Sequence, residues 1–507
     1  MSKKELVSKC LRRLRYACLG CMLFLSVCLA AQQPAPTISV AWEKDEGALK
    51  TVPTLQVVVN PPLRPASPIH NNAWESLRAL QADYVRFVPW YPYPRLGVAE
   101  LEPPADGKTS WDFSLIDPLV LDFFHASVGR RVMLNFSTIP QWMFKTKESV
   151  QVPSNPNDVC WEYEQGTELR DPSGKEVADY FARLVSWYTR GGFVDEYGVR
   201  HDSPHHFKID YWEVLNEPEY EHGLSPEQYT RLYDAITRAV HEVSPETGFV
   251  GMSLAEPTKS PGFFDYFLNL QNHSSPTPPQ MISYHFYAVP TADQTAEIHP
   301  FTFFDQADAF LNSVRFMNEI RHRHSPGTWT DVNEAGCILP EDIGQGARGD
   351  SIYPSYWNLC GAVFAHLYIG LAREGVEILG SSQLMGFPTQ FPSVTMLNWE
   401  TGEPNARYFV LKLIKDSFIP GDRMVETKSS TPYVSAQAFL SNNGTRKVLL
   451  VNKRDHSLTI KLSGSQGASM RAVDLSQKGQ TISASALTQD QIVLGPFAVA
   501  VVSIKAN

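Results

Sequence analysis

Residues 210–218 read DYWEVLNEP, a strand-like run that passes directly into Asn216, Glu217 and Pro218. Proline lacks the N–H a strand ladder needs, so Pro218 halts the strand and stiffens the turn behind it. Glu217 therefore stands at a strand end. Working outward, similar short runs occur at LQVVV (55–59), YVRFV (84–88) and RVMLNF (131–136). They continue at GFVGMSL (248–254), MISYHFY (281–287), WTDVNE (329–334) and SSQLMGF (381–387). Helical patterns lie between them: AWESLRALQ (73–81), VADYFARLVSWYTR (177–190), SPEQYTRLYDAITRAVHEV (225–243) and DAFLNSVRFMNEIRHR (308–323). Strand alternating with helix eight times over predicts an α/β fold, a (β/α)8 TIM barrel in which DYWEVLNE is strand four. The spacer 144–174, rich in Pro, Asn, Asp and Glu, reads as an enlarged loop over the C-terminal barrel face.

After FIPGDR (418–423) the texture changes to short alternating strands, YVSAQAFLS, RKVLLVNK, LTIKL, MRAVDL and QIVLGPFAVAVVSI. The expected division is a barrel over 37–417 and a C-terminal β-sandwich over 418–507, with TISVAW (37–42) available as a further sandwich strand. Residues 1–31 carry six Lys and Arg against one Glu and then the apolar YACLGCMLFLSVCLAA. That pattern predicts a cleaved signal peptide and a secreted or periplasmic protein. Its removal leaves 38 Lys and Arg against 53 Asp and Glu. So acidic a chain argues against a nucleic-acid partner. No internal stretch reaches the roughly 20 apolar residues of a membrane span.

Four of the seven cysteines leave with the leader. Cys160, Cys337 and Cys360 remain without CxxC spacing, so neither a disulfide framework nor a metal site is indicated, although one bridge stays open. His201, His205 and His206, like His322 and His324, read as solvated surface. No metal or cofactor is expected. Of the sequons at Asn135, Asn272 and Asn443, the first falls at a strand end and is not expected to carry a glycan.

A second carboxylate, Glu334, ends strand seven in TWTDVNEAGC. Strand alternation puts it on one face with Thr330 and Val332, and puts Asp331 and Asn333 on the other. It lies 117 residues beyond Glu217, room for three βα units, so the two glutamates face each other across the barrel mouth. Carboxylates roughly 5 Å apart suit double displacement at a glycosidic carbon. Glu217 would hold a proton as acid and then base, and Glu334 would stay ionised as nucleophile, with Asp331 as the alternative nucleophile. Asn216 is placed to bond a substrate hydroxyl. Arg86 on strand two can hold Glu334 charged and oriented. His285 and Tyr287 share one side of strand six; Tyr287 can bond the nucleophile and His285 a sugar hydroxyl. Trp90, Tyr91, Trp142 and Trp399 follow strands two, three and eight and are candidate stacking faces for sugar rings, with Gln383 beside them.

WEVLNEP (212–218) and VNEAG (332–336) resemble the signature of the clan A glycoside hydrolases, whose retaining (β/α)8 barrels carry Asn-Glu on strand four and a nucleophilic Glu on strand seven. ISYHFYA (282–288) and YVRF (84–87) are similar to segments of glycoside hydrolase family 39, the β-xylosidases and α-L-iduronidases, whose barrel also bears a β-sandwich. The family tends to have Arg-x-His on strand two, where Arg86 is followed here by Phe87 and Val88. Its glycine-containing turn after strand one is replaced by NPPLRP. Families 51 and 79 of the clan therefore stay open. The resemblance implies a secreted retaining glycosidase acting on an oligo- or polysaccharide or a simple glycoside. The alternative is a catalytically silent barrel that binds glycans, against which stands the presence of both carboxylates. A barrel lyase of aldolase type would want a lysine at a strand end, and none of these strands ends in one.

Overall fold

A computed structural model describes residues 35–505 apart from 164–165, 275–278, 343–348, 350–351 and 477–481. The expected leader, 1–31, lies outside the described residues. Eight parallel strands close into a barrel: Val52–Val58, Val85–Val88, Val132–Leu134, Tyr211–Glu213, Gly248–Leu254, Met281–Ala288, Trp329–Cys337 and Ile378–Ser381. The eighth pairs back onto the first, Ile378 opposite Val52. Helices His70–Leu80, Lys175–Thr189, Pro226–Val243 and His299–His324 form where the 3.6-residue apolar period predicts them. The third begins with a capping box in which Ser225 and Gln228 satisfy each other's backbone N–H groups. No helix among the described residues is long and apolar enough to cross a membrane.

Strand eight departs from expectation, occupying Ile378–Ser381 rather than 381–387. Gly380 makes its closest approach to strand seven, where a Cβ would meet the Asn333 carbonyl oxygen at 2.6 Å. The apolar residues that suggested a longer strand, Leu384 and Met385, are buried from a loop, with the Leu384 N–H donating to the Gln56 carbonyl at 2.9 Å. The histidine reading also needs correcting. His205 is buried, 3.1 Å from the Asp117 carboxylate and stacked on Tyr188 and Phe207, because its loop folds back on the helix ending at Thr189.

The barrel interior changes character along its axis. Tyr84, Met133, Val250, Met281 and Ile378 form an apolar plug at one end. Two residues further along the same strands, on the same inward face, stand Arg86, Asn135 and Ser283. The C-terminal half of the interior is thus a polar layer, and each of its side chains needs a partner inside the barrel.

The C-terminal part forms a separate antiparallel sheet that curls over as an immunoglobulin-like sandwich. Thr37–Ala48 joins it, antiparallel to Arg423–Ser429 and briefly parallel to Leu458–Leu462. Alternate residues of its strands serve two cores. Leu449, Val451, Val499 and Val501 pack with the barrel helices, while Val448, Leu450, Ala500 and Val502 fill the sandwich. At roughly 1.5–3 kcal/mol per fully buried aliphatic side chain, that shared core fixes the sheet to the barrel flank.

Glu100 is wholly buried, and neither carboxyl oxygen has a hydrogen-bond partner. Burial, with Glu196 adding to it, pushes its carboxyl from 4.5 up to about 8. Between those values the native chain holds a proton that the unfolded chain has released, so stability falls as pH rises through that window and levels off above it. We expect Glu100→Gln to flatten the decline of Tm between pH 5 and 8, measured by thermal unfolding against the wild-type chain.

Candidate active site

The polar layer is organised on Arg86, which is 2% exposed. Its Nε donates to Glu213 Oε2 at 2.5 Å and its Nη1 to Glu334 Oε1 at 2.5 Å and to Gln56. Its Nη2 donates to Asn216 Oδ1 at 2.8 Å and Ser253 Oγ at 3.1 Å. Burial opposes the guanidinium charge, but the two glutamates outweigh it and Arg86 stays charged. Glu213, also fully buried, accepts further bonds from Asn135 Nδ2 (2.5 Å), Ser283 Oγ (2.5 Å) and Asn333 Nδ2 (2.7 Å). Sequence reasoning missed Glu213. Its signal was an acidic residue on the inward face of an apolar strand, opposite a buried arginine that needed a counter-charge.

Backbone irregularities aim the two candidate carboxylates. A bulge between Val332 and Glu334 shifts the register against strand six. Val332 packs outward in the core, while Asn333 and Glu334 both turn inward. The expected face-sharing of Val332 with Glu334 is therefore overturned, because the extra residue resets the alternation. Asp331, the alternative nucleophile, is buried below and does not reach the cavity. A matching irregularity between Met252 and Leu254, with Met252 at φ 80° and Ser253 at φ 45°, swings the Ser253 hydroxyl onto Arg86. Glu217 itself has φ 43° and stands just before the short helix Pro218–Glu221, with no side-chain bond to its N–H groups. Strained residues of this kind persist where the surroundings hold them.

Glu334 Oε2 accepts from the Tyr287 hydroxyl at 2.6 Å, which also lies 2.6 Å from Ser382 Oγ. Burial alone would raise the Glu334 carboxyl, but the charges of His285 and Arg86 and the Tyr287 bond hold it below the ordinary carboxylate value. His285 lies between the two glutamates, with Nδ1 2.9 Å from Glu217 Oε1 and Nε2 3.6 Å from Glu334 Oε1. Burial lowers its basicity, but Glu334 and Glu217 outweigh that and raise it. One donor atom each of Glu217, His285 and Glu334 lie within 4.8 Å of one another, a spacing that can hold a small metal ion. The guanidinium already on Glu334 opposes a cation there.

These carboxylates border a cavity of about 620 Å³ at the C-terminal barrel face. Of the sequence candidates, Asn216, Glu217, Tyr287, Glu334, Trp90, Tyr91 and Gln383 line it. Arg86 and His285 lie behind the carboxylates instead, so His285 meets Ser253 and the glutamates rather than the cavity. Trp142 and Trp399 are off the wall: Trp142 donates to the Glu100 carbonyl under Arg170, and Trp399 packs on the core. The aromatic wall is completed by residues not foreseen, Trp161 from the 144–174 spacer and Phe391, their ring centroids 5.4 and 6.1 Å from that of Trp90. Tyr220, 73% exposed, stands at the mouth. Glu221 was also missed. Its Oε1 accepts from Trp90 Nε1 (2.8 Å) and Asn216 Nδ2 (2.9 Å), clamping two wall residues from behind. Burial first, and then the Glu217 charge, raise its carboxyl well above the ordinary value.

Residues 432–502 match a family described as D-apionate lactonase, C-terminal immunoglobulin-like domain. No curated protein matches the chain by sequence. Among solved structures it is similar to the α-L-arabinofuranosidase of Thermotoga maritima in its arabinose complex, 12% identical with a TM-score of 0.61. It is also similar to the GH51 arabinofuranosidase of Xanthomonas axonopodis pv. citri, 11% identical with a TM-score of 0.60, and to a GH30 endoxylanase of Clostridium papyrosolvens, 15% and 0.56. Each likeness covers 93% of this chain and 100% of the other. At such identities the shared property is the fold, a barrel of the kind these glycosidases use.

The buried pair makes a stability prediction. Glu213→Leu removes one of the two counter-charges of Arg86 and leaves the Arg86 Nε and the donors of Asn135, Ser283 and Asn333 unpaired, so unfolding free energy in denaturant should drop by about 3–5 kcal/mol. Tyr287→Phe, which removes one hydroxyl bonded to a charged carboxylate, should cost less, about 1.5–3 kcal/mol.

Proposed function

We propose that the chain is a secreted retaining glycoside hydrolase, with Glu217 as acid/base and Glu334 as nucleophile. The observation that carries this is the approach of one Glu217 oxygen and one Glu334 oxygen to within 4.8 Å at the cavity wall. An approach that close supports double displacement, whose carboxyl groups stand about 5–5.5 Å apart, over inversion, which leaves room for a water between the two. Glu334 is held ionised by Arg86, His285 and Tyr287, as an attacking carboxylate must be. Attack on the anomeric carbon would form a glycosyl ester while Glu217 gives its proton to the leaving oxygen. Water, deprotonated by Glu217, would then cleave the ester.

Asn216 supports the same reading. Its Oδ1 is taken by Arg86 and one Nδ2 hydrogen by Glu221, which leaves one N–H for a substrate oxygen. Trp90, Trp161 and Phe391 supply faces on which a sugar ring can stack. In this reading residues 1–31 export the chain, the barrel that begins at Val52 and runs to 417 carries the chemistry, and the sheet over 418–507, joined by Thr37–Ala48, braces it. β-Xylosides, from the family-39 resemblance, and α-L-arabinofuranosides, from the similar arabinofuranosidase structures, are the first substrates to try.

The test is the initial rate on aryl β-xylosides, α-L-arabinofuranosides, β-glucosides, β-glucuronides and α-L-iduronides, with a sugar lactone added on account of the matched C-terminal family. Glu217→Ala should lose about 10²–10⁴-fold and recover with azide, giving a glycosyl azide of retained configuration. Glu334→Ala should lose roughly 10⁴-fold or more and give no retained product. Because the Tyr287 bond helps hold Glu334 ionised, Tyr287→Phe should move the acid limb of kcat/KM to higher pH. Hydrolysis of the lactone alone, or full activity in Glu334→Ala, would overturn the assignment.

A further inference from the structure

Glu221 lies five residues past Asn216, and the chain between them makes one tight turn. Pro218 starts the short helix Pro218–Glu221, and the N–H groups of Tyr220 and Glu221 donate to the Glu217 carbonyl at 2.8 and 2.7 Å. That turn carries the Glu221 side chain back behind Asn216. A single oxygen, Oε1, then accepts from Trp90 Nε1 at 2.8 Å and from Asn216 Nδ2 at 2.9 Å. The amide cannot be turned the other way. A guanidinium only donates, so the Asn216 atom facing Arg86 is the oxygen and the one facing Glu221 is the nitrogen.

Trp90 and Asn216 border the cavity, and Glu221 stands behind both. The two come from different strands, Trp90 from just past strand two and Asn216 from the end of strand four. They offer a ligand different things, an aromatic face and an N–H donor. The Trp90 ring sits amid the aromatic wall, its centroid 4.9 Å from that of Tyr91, 5.4 Å from Trp161 and 6.1 Å from Phe391. Packing alone leaves an indole free to tilt in such a cluster, and a bond at Nε1 removes that freedom. One oxygen thus sets the indole plane and the amide donor in a common frame. Glu221 suits this task as an acceptor rather than as a charge. Burial and the Glu217 charge favour its neutral form, whose carbonyl oxygen still accepts hydrogen bonds.

We propose that Glu221 is a positioning residue: through Oε1 it locks the Trp90 ring and the Asn216 amide into one rigid frame that receives the sugar, and its contribution is reach, not charge. This rests on the glycosidase reading of the cavity and adds a residue that acts through two others. The experiment follows kcat/KM against pH on the best aryl glycoside for the full chain, Glu221→Gln and Glu221→Asp. Glu221→Gln keeps an acceptor oxygen at the same reach and carries no charge. Glu221→Asp keeps the carboxyl but is one methylene shorter and cannot hold both donors. Glu221→Gln should stay within about 3-fold of wild type with both pH limbs unmoved, and Glu221→Asp should lose about 10–100-fold, the cost of a misplaced substrate. In a chain already lacking one donor, through Trp90→Phe or Asn216→Ala, the cost of Glu221→Asp should shrink by about 3-fold or more, as expected of residues that act together. If thermal unfolding shows that Glu221→Asp does not fold, Glu221→Met, of similar length but without an oxygen acceptor, takes its place with the same expected loss. The reverse order, with Glu221→Asp active and Glu221→Gln impaired or shifted in pH, would give Glu221 a charge role and overturn the proposal. Wild-type rates in both variants, or additive costs in both donor-deficient chains, would overturn it too, and each of these outcomes leaves the glycosidase reading intact. A wild-type chain that cleaves no glycoside would bring down that reading and this inference with it.

Discussion

A guanidinium inside a barrel has to be neutralised and fully hydrogen-bonded, and the Arg86 side chain imposes that condition on everything around it. Taking one charge out of water costs several kcal/mol even after relaxation, so removing a partner is far more damaging than never having had the pair. Arg86 meets the condition by spreading its donors over Glu213, Glu334, Gln56, Asn216 and Ser253. Those partners come from strands one, four, five and seven or the residues just beyond them. One planar group thus fixes the relative positions of side chains that are distant in the chain. Glu213 acts as the structural counter-ion, satisfied by four side chains and sealed from solvent. Glu334 shares the same arginine but keeps an edge on the cavity. That division of labour gives one carboxylate to the fold and leaves the other with an edge on the cavity, where the proposed chemistry needs it.

Positioning at this precision also draws on backbone conformations that ordinary strands avoid. The bulges near Val332 and Met252 and the left-handed Glu217 all fall within the C-terminal rim. Each costs on the order of 1–3 kcal/mol where φ is positive in a non-glycine residue. The outlay is sustained by the polar layer beneath, whose hydrogen bonds close only in this geometry, and by the apolar plug of Tyr84, Met133, Val250, Met281 and Ile378 below that.

What the chain reveals by inspection follows from the range of the forces involved. Strand and helix periods are local, so the barrel and the positions of Glu217 and Glu334 are legible from runs of a few residues. Arg86 and Tyr287 are legible because strand alternation turns them inward together with their partners. Glu221 is not, since a single acidic letter carries no mark of burial, and Glu213 is marked only indirectly, by its place on an inward strand face opposite an arginine that needs a counter-charge. The inward turn of Asn333 is hidden for another reason: a bulge breaks the alternation on which the prediction rests. Trp142 and Trp399 show the same limit from the other side. Aromatic residues in rim loops are equally suited to a cavity wall or to the packing under it, and only the path of the loop decides.

His285 ties these elements together electrostatically. It bridges Glu217 and Glu334 from a buried position, and its own charge is raised by both and opposed by burial and by Arg86. His285 and Glu334 shift each other's proton affinity, the imidazole being raised by the carboxylate and the carboxylate lowered by the imidazole. If a bound molecule were to expel water from the cavity, every one of these interactions would strengthen, because the dielectric around them would fall. The proton that a retaining mechanism moves on and off one glutamate would therefore be felt at once by the other through a shared imidazole. The pH limbs of such a site belong to the cluster, and substitution at His285 would displace both limbs even though the ring does not border the cavity.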